Sequence, residues 1–204
     1  MTLPTQLTVL RIVLAPVFFL LFAVLEPTQI GWAMAVFVVA ALSDWYDGHF
    51  ARKLNLVTPF GAFLDPLADK ILTSAAFFAF AARGLVPWWM VLVVIARDIY
   101  LTGFRMLADS LGTGVRTSFF AKMKTFTQMV FIGSVLIGIA ASKESWGVIT
   151  TLGKFWVQPE VLYWTMLVVM ALTAISAAEY TYENWQVLRA IFKRLFSRRS
   201  PQEL

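Results

Sequence analysis

The sequence predicts an all-α, polytopic membrane protein with six transmembrane helices and a polar cavity facing the cytoplasm. Three observations carry that expectation. Hydrophobic residues fill 59% of the 204 positions and charged residues only 14%, where a soluble domain carries roughly a quarter charged. Mean hydropathy is +0.73, with 18 Phe and 8 Trp, which excludes a water-soluble enzyme or a disordered chain. The polar residues that interrupt the apolar stretches all lie toward one side of the membrane.

Six uncharged apolar runs follow one another along the chain, at 12–25, 27–43, 71–82, 84–96, 125–142 and 161–178. A span needs about 20 residues, so the shorter runs must extend through charge. The first reaches Arg11, the second passes Asp44 and Asp47, the third begins upstream of Asp65 and Asp69, and the fourth continues through Arg97 to Arg105. Six spans put both termini on one side. That side, with the loops after spans two and four, holds Arg11, Arg52, Lys53, Arg105, Arg116, Lys122, Lys124, Arg189, Lys193, Arg194, Arg198 and Arg199, and the other side holds Arg83, Lys143 and Lys154. The excess of basic residues assigns the termini to the cytoplasm. Every short span is therefore lengthened through polar residues toward the cytoplasm, and charge at that depth requires a protein-lined or wet cavity.

Residues 1–204 read as one integral membrane domain, with a short interfacial segment at 1–9, where Pro4 and Thr5 start a helix, and a basic cytoplasmic tail at 189–204. The opening MTLPTQLTVLR lacks a cationic start and a small-residue cleavage site, so no cleavable signal peptide is expected. The absence of cysteine excludes disulfides, thiolate ligands and a thiol nucleophile, and a single histidine, His49, excludes a multi-histidine zinc centre. The net charge of +5 is assigned to topology and anionic lipid rather than to nucleic acid. No internal repeat is visible, which speaks against an inverted-repeat transporter.

Four of the twelve acidic residues fall in the stretch SDWYDGHFARKLNLVTPFGAFLDPLADK. Asp44 and Asp47 (i, i+3) share a face near the inner end of span two, and Asp65 and Asp69 (i, i+4) share one near the inner start of span three. Asp44 lies eight residues before Arg52, about 12 Å of helix axis, and the second pair stands at a similar depth. The two pairs are expected to face each other. Four carboxylates so close cannot all stay ionised unaided, and an all-oxygen ligand set suits Mg²⁺, Mn²⁺ or Ca²⁺. Gly48 and Gly61 permit close backbone approach, and Pro66 after Asp65 suits an early turn of a helix.

Asp44-x-x-Asp47-Gly48-x-x-Ala51-Arg52, eight intervening residues, then Gly61-x-x-x-Asp65-x-x-x-Asp69 resembles the CDP-alcohol phosphatidyltransferase motif at every defined position. The flanking LPTQLTVLRIVLAP, FGAFLDPLADKI, ARDIYLTGFR and AKMKTFTQM resemble the branch of that family that takes glycerol 3-phosphate as acceptor. Thr5 stands where that branch often has Asn, and SAAEY replaces the more usual SAADY. The resemblance implies transfer of a phosphatidyl group from CDP-diacylglycerol to glycerol 3-phosphate with release of CMP. It implies two divalent cations, Mg²⁺ or Mn²⁺, with Asp44 and Asp65 bridging both, Asp47 on the first and Asp69 on the second. Asp69 is also the implied general base. Gly48, Ala51, Arg52, Thr58 and Gly61 are the implied contacts to CDP-diacylglycerol, joined by Thr8 and Arg11 near the start of span one. A homodimer in the inner (plasma) membrane is implied in the same way, and His49, at a variable position, has no implied role.

The acceptor phosphate requires cations at the inner ends of spans four and five, where Arg105, Arg116, Lys122 and Lys124 are the candidates. Arginine suits bidentate phosphate recognition. Lys122 and Lys124, two apart, point to different faces of a helix, so both do not meet one phosphate directly; the resemblance of KMKTFTQ to the glycerol 3-phosphate branch implies Arg105 and Lys124 as the preferred pair. Each of these charges equally satisfies a purely topological role. Two alternatives remain at this stage: the same transfer to inositol phosphate, serine or phosphatidylglycerol, or a divalent-cation transporter using the four aspartates as its site.

Overall fold

The computed structural model describes the backbone of residues 3–25, 30–54, 59–110, 112, 119–143 and 147–197. It describes their side chains except at 3–5, 44–54, 59–66, 69, 119–124 and 192–197. Among the described residues there are eight α-helices and no strand: α1 (Leu3–Phe19), α2 (Ile30–Leu54), α3 (Pro59–Ala82), α4 (Trp88–Ser110), α5 (Phe119–Lys143), α6 (Val148–Trp156), α7 (Pro159–Glu183) and α8 (Trp185–Ser197). The last turn of the first helix widens into a π-helix, Leu20–Val24, closed by Leu25 N–H donating to Leu20 O at 3.1 Å. Three stretches are long and apolar enough to cross a bilayer, Gln6–Val24, Thr125–Lys143 and Pro159–Glu183, and two shorter apolar helical stretches cover Ile30–Ser43 and Lys70–Ala82. Helix α4 is 23 residues long, but Arg97, Asp98 and Arg105 interrupt its apolar run.

The backbone of α1 is helical without a break from Leu3, through the segment read as interfacial, into the apolar stretch. It packs against both α2 and α3. Alanines make that approach close: Ala15, Ala33, Ala40, Ala76 and Ala79 are all fully buried, as small residues are where membrane helices meet. Further along the same helices, phenylalanines fill the space. The Phe18 ring lies 5.6 Å from Phe22 and 5.4 Å from Phe37, and Phe22 lies 5.2 Å from Phe80. Phe131 of α5 continues the chain at 6.0 Å from Phe77 and 6.4 Å from Phe80. This aromatic core occupies the half of α2 before Asp44 and the half of α3 after Asp69, so the ends bearing aspartate lie on the far side of a packed plug.

The turn from α3 to α4 is short because its chemistry stops the helix. Gly84 adopts φ +70°, Gly84 N–H donates to Ala81 O at 3.0 Å and Leu85 N–H to Phe80 O at 2.9 Å. This is the glycine-terminated pattern that satisfies the last carbonyls of a helix, and Pro87 follows. Arg83 performs the same service for α1: its Nε donates to Phe22 O at 2.7 Å and its Nη2 donates to Leu25 O, occupying carbonyls that a helix end leaves unpaired.

Two helices were not resolved as elements in the sequence. Helix α6 lies in the 143–160 stretch, where the family resemblance weakens. It packs on α5 because Gly153 brings its backbone against that of Ala141 and Ser142, and Trp156 lies over Gly138. Its Val148, Ile149, Leu152 and Phe155 stay exposed, the habit of a helix lying at a membrane interface. Helix α8 includes the start of the basic tail. Ile191 is buried with Phe104 and Ala108 of α4 and Tyr180 of α7, with Val187 and Leu188 packed alongside. Arg189 lies over the Trp185 ring at 5.1 Å.

Candidate active site on the aspartate-bearing helices

The two aspartate pairs are carried by α2 and α3, the helices that clasp α1. Asp44 stands ten residues before the end of α2 at Leu54, and Asp69 ten residues after the start of α3 at Pro59, about 15 Å along each axis. Asp47 and Asp65 stand seven and six residues from the same ends, about 10 Å along. The pairs thus stand at similar distances along their own helices from Leu54 and Pro59. The side chains of Asp44, Asp47, Asp65 and Asp69, with those of Ala51 and Arg52, lie outside the described residues, as do Thr58 and the whole of Arg116. Gly48, Ala51 and Arg52 continue α2 within two turns of Asp47, and Gly61 opens α3.

Thr8 and Arg11 are described. Three residues apart on α1, they share a face, and that face is buried: Thr8 is 0% and Arg11 1% exposed. A fully buried arginine is rare unless its charge is met, and both residues hold polar or ionic partners. Among the described residues, α1 packs against its own π-helical end and against α2 and α3, the helices that bear the aspartates. The sequence grouped Thr8 and Arg11 with the nucleotide contacts on resemblance alone; the fold sets them on the helix that lies between the two aspartate helices.

Of the four basic residues considered for the acceptor phosphate, Arg105 is exposed near the C-terminal end of α4. Its neighbour Phe104 is buried and meets the Tyr180 ring edge-on at 5.8 Å, so α7 and α8 together fix the end of α4 from which Arg105 projects. Lys122 and Lys124 fall in the first turns of α5, and their side chains lie outside the described residues.

Behind Arg105, two helical turns deeper, is a buried polar network. Arg97 Nη1 donates to Asp98 Oδ1 at 2.9 Å, Nε donates to Thr173 O at 3.0 Å, and Nη2 donates to Ser176 Oγ. Gln128 Nε2 donates to Asp98 Oδ2 at 3.3 Å. Arg97, Asp98, Thr173, Ser176 and Gln128 are all at most 9% exposed. One ion pair with its hydrogen bonds thus joins α4, α5 and α7. The sequence marks Arg97 and Asp98 by their charge at depth; Gln128, Thr173 and Ser176 were passed over, and the available signal was an uncharged polar residue inside an apolar run.

The comparisons with known proteins follow this geometry. A profile described as CDP-alcohol phosphatidyltransferase matches residues 1–175. A protein of Bacillus subtilis (strain 168) named CDP-diacylglycerol–glycerol-3-phosphate 3-phosphatidyltransferase is 34% identical over 202 residues, covering 92% of this chain and 97% of its own length. A protein of the same name from Escherichia coli (strain K12) is 36% identical over 169 residues, 80% of this chain and 90% of its own. A putative cardiolipin synthase of Mycobacterium tuberculosis (strain ATCC 25618 / H37Rv) is 37% identical over 139 residues, 68% of this chain and 66% of its own. The profile alone covers well over half of the chain and includes both aspartate pairs, and with these relatives it shows that the chain belongs to the CDP-alcohol phosphatidyltransferase family.

Proposed function

We propose that this protein transfers the phosphatidyl group of CDP-diacylglycerol to glycerol 3-phosphate, forming phosphatidylglycerophosphate and releasing CMP. The observation that carries the reading is the eight-residue motif borne by α2 and α3, in a chain whose full-length relatives bear the name of that activity. The chemistry of the donor set fits two divalent cations, Mg²⁺ or Mn²⁺: four carboxylates at one level are compatible with ionisation only beside such charge. Asp44 and Asp65 would help to hold both ions, Asp47 the first and Asp69 the second. When bound, such ions offset the pyrophosphate charge and polarise the attacked phosphorus.

The remaining steps belong to the chain itself. Asp69 takes the proton of the attacking hydroxyl. The freed oxygen bonds to the phosphatidyl phosphorus as the pyrophosphate bond to CMP breaks. Thr8, Arg11, Gly48, Ala51, Arg52, Thr58 and Gly61 hold the CDP portion, with the glycines admitting it close to the backbone. Arg105 and Lys124 hold the acceptor phosphate, with Arg116 and Lys122 as the further cations of that loop. The six long helices cross the inner (plasma) membrane with both termini in the cytoplasm, and the cavity opens inward. The protein acts as a homodimer, an assignment carried over from the resemblance.

The same transfer to phosphatidylglycerol is the second reading, favoured by the similarity to a protein named a putative cardiolipin synthase. Transport of a divalent cation is disfavoured by the phenylalanine packing that joins α1, α2, α3 and α5, which leaves the apolar parts of these helices without a polar path. The test supplies purified protein with CDP-diacylglycerol, Mg²⁺ or Mn²⁺, and each alcohol in turn. CMP release with glycerol 3-phosphate alone, abolished by chelator, is expected. Release driven by phosphatidylglycerol, inositol phosphate or serine instead would overturn the acceptor assignment.

A further inference from the structure

Gln128 is fully buried, and its amide is held in one orientation. Asp98 offers a carboxylate, which accepts hydrogen bonds and cannot donate them when ionised. The Gln128 amide must therefore turn its NH₂ toward Asp98, as it does at 3.3 Å. Asp98 is in turn fixed by Arg97, whose guanidinium is anchored on Thr173 O and Ser176 Oγ of α7. The consequence falls on the other end of the amide. Gln128 Oε1 faces away from Asp98, is buried, and has no hydrogen-bond partner among the described residues. A buried acceptor atom held rigidly without a partner is costly in a structural role, yet it is what recognition of a ligand hydroxyl requires.

Its place along α5 gives the ligand. Gln128 is four residues beyond Lys124, so the two lie on one face of α5, separated by about 6 Å along the axis. Asp98, which orients Gln128, lies seven residues before Arg105 on α4, again on one face and about 10 Å deeper. Along the backbone, Gln128 thus lies about one helical turn beyond Lys124 on α5, and the Asp98 that fixes it about two turns before Arg105 on α4.

We propose that Gln128 is a specificity-determining residue whose Oε1 accepts a hydrogen bond from the non-reacting hydroxyl of a glycerol phosphate, with Arg97 and Asp98 as the positioning pair that fixes the amide. The proposal rests on the reading of the reaction given above. It explains why an amide stands here in place of a third cation: the phosphate is met by charge at the cavity mouth, and the polyol beyond it is met by a neutral acceptor. Discrimination of this kind is strong because a substrate lacking the hydroxyl leaves the buried oxygen unpaired while displacing nothing else.

The experiment compares glycerol 3-phosphate with 3-hydroxypropyl phosphate, which keeps the reacting hydroxyl and the phosphate and lacks the middle hydroxyl. In the unmodified enzyme, kcat/KM for glycerol 3-phosphate is expected to exceed that for the analogue by about ten- to a hundredfold. Gln128→Met, similar in size and unable to accept strongly, should narrow that ratio to within about threefold by lowering the glycerol 3-phosphate value and leaving the analogue's in place. The KM for CDP-diacylglycerol should stay unchanged. Equal use of both acceptors by the unmodified enzyme overturns the proposal without any variant. So does a Gln128→Met enzyme in which both acceptors fall together, the signature of a structural or water-binding amide. Arg105→Ala separates the two readings: unchanged KM for both acceptors refutes the phosphate pocket, while a hydroxyl preference that disappears in Gln128→Met still upholds the amide.

Discussion

Replacing Arg97 by methionine removes the cation that neutralises Asp98 in a site where both side chains are under a tenth exposed. The substitution deletes three hydrogen bonds, to Asp98, Thr173 O and Ser176 Oγ. Hydrogen bonds between membrane helices average about 0.6 kcal/mol, which gives roughly 2 kcal/mol for the three. The larger contribution is the carboxylate left behind: breaking a buried ion pair from one side costs about 3–5 kcal/mol in all. Arg97→Met is therefore expected to lose about 4 kcal/mol of stability, chiefly through Asp98. Adding Asp98→Leu removes the stranded charge. The double variant should regain about half the loss, the rest being the missing bonds to Thr173 O and Ser176 Oγ and the Gln128 NH₂ left without its acceptor. Equilibrium unfolding in mixed micelles by SDS titration, followed by helical circular dichroism, measures all three stabilities. A single variant no less stable than the double one, or within about 1 kcal/mol of the unmodified protein, refutes the charge argument and reduces the pair to ordinary packing.

The other expectations concern catalysis. Asp69→Asn keeps an oxygen for a cation but loses the basic carboxylate, so turnover should collapse while CDP-diacylglycerol binding largely survives; binding and turnover falling together would make Asp69 a ligand only. Arg105→Ala should raise the KM for glycerol 3-phosphate by about ten- to a hundredfold, with little change in that for CDP-diacylglycerol, and should weaken discrimination against unphosphorylated glycerol. Full acceptor affinity and selectivity in that variant would return Arg105 to a topological role.

By itself the sequence determined the class of protein, the family motif and the faces on which the chemistry-bearing residues fall. The aspartate pairs at 44/47 and 65/69 occupy single helical faces because helix geometry makes residues three and four apart neighbours, whatever surrounds them. Their expected common depth rests on the same regularity, since a constant rise per residue converts sequence spacing into distance. The stop between α3 and α4 was not drawn from the chain, though Gly84 and Pro87 end one helix and begin the next by local backbone chemistry alone.

Only the tertiary structure decided which faces meet. In a bilayer the outside of a bundle is as apolar as its inside, so hydrophobic periodicity loses its power to mark the buried face. On α7, Trp164, Val168 and Ile175 are exposed while Leu162, Met166 and Val169 are buried, and nothing in their composition separates the two sets. For that reason the join of Arg97 to Ser176, 79 residues away, and of Arg83 to the Phe22 carbonyl, 61 residues away, was invisible in the chain. The same holds for Gln128. Its place four residues after Lys124 is a matter of spacing, but the fixed orientation of its amide exists only because α4 brings Asp98 to it, and a carboxylate accepts from one end of an amide and not the other.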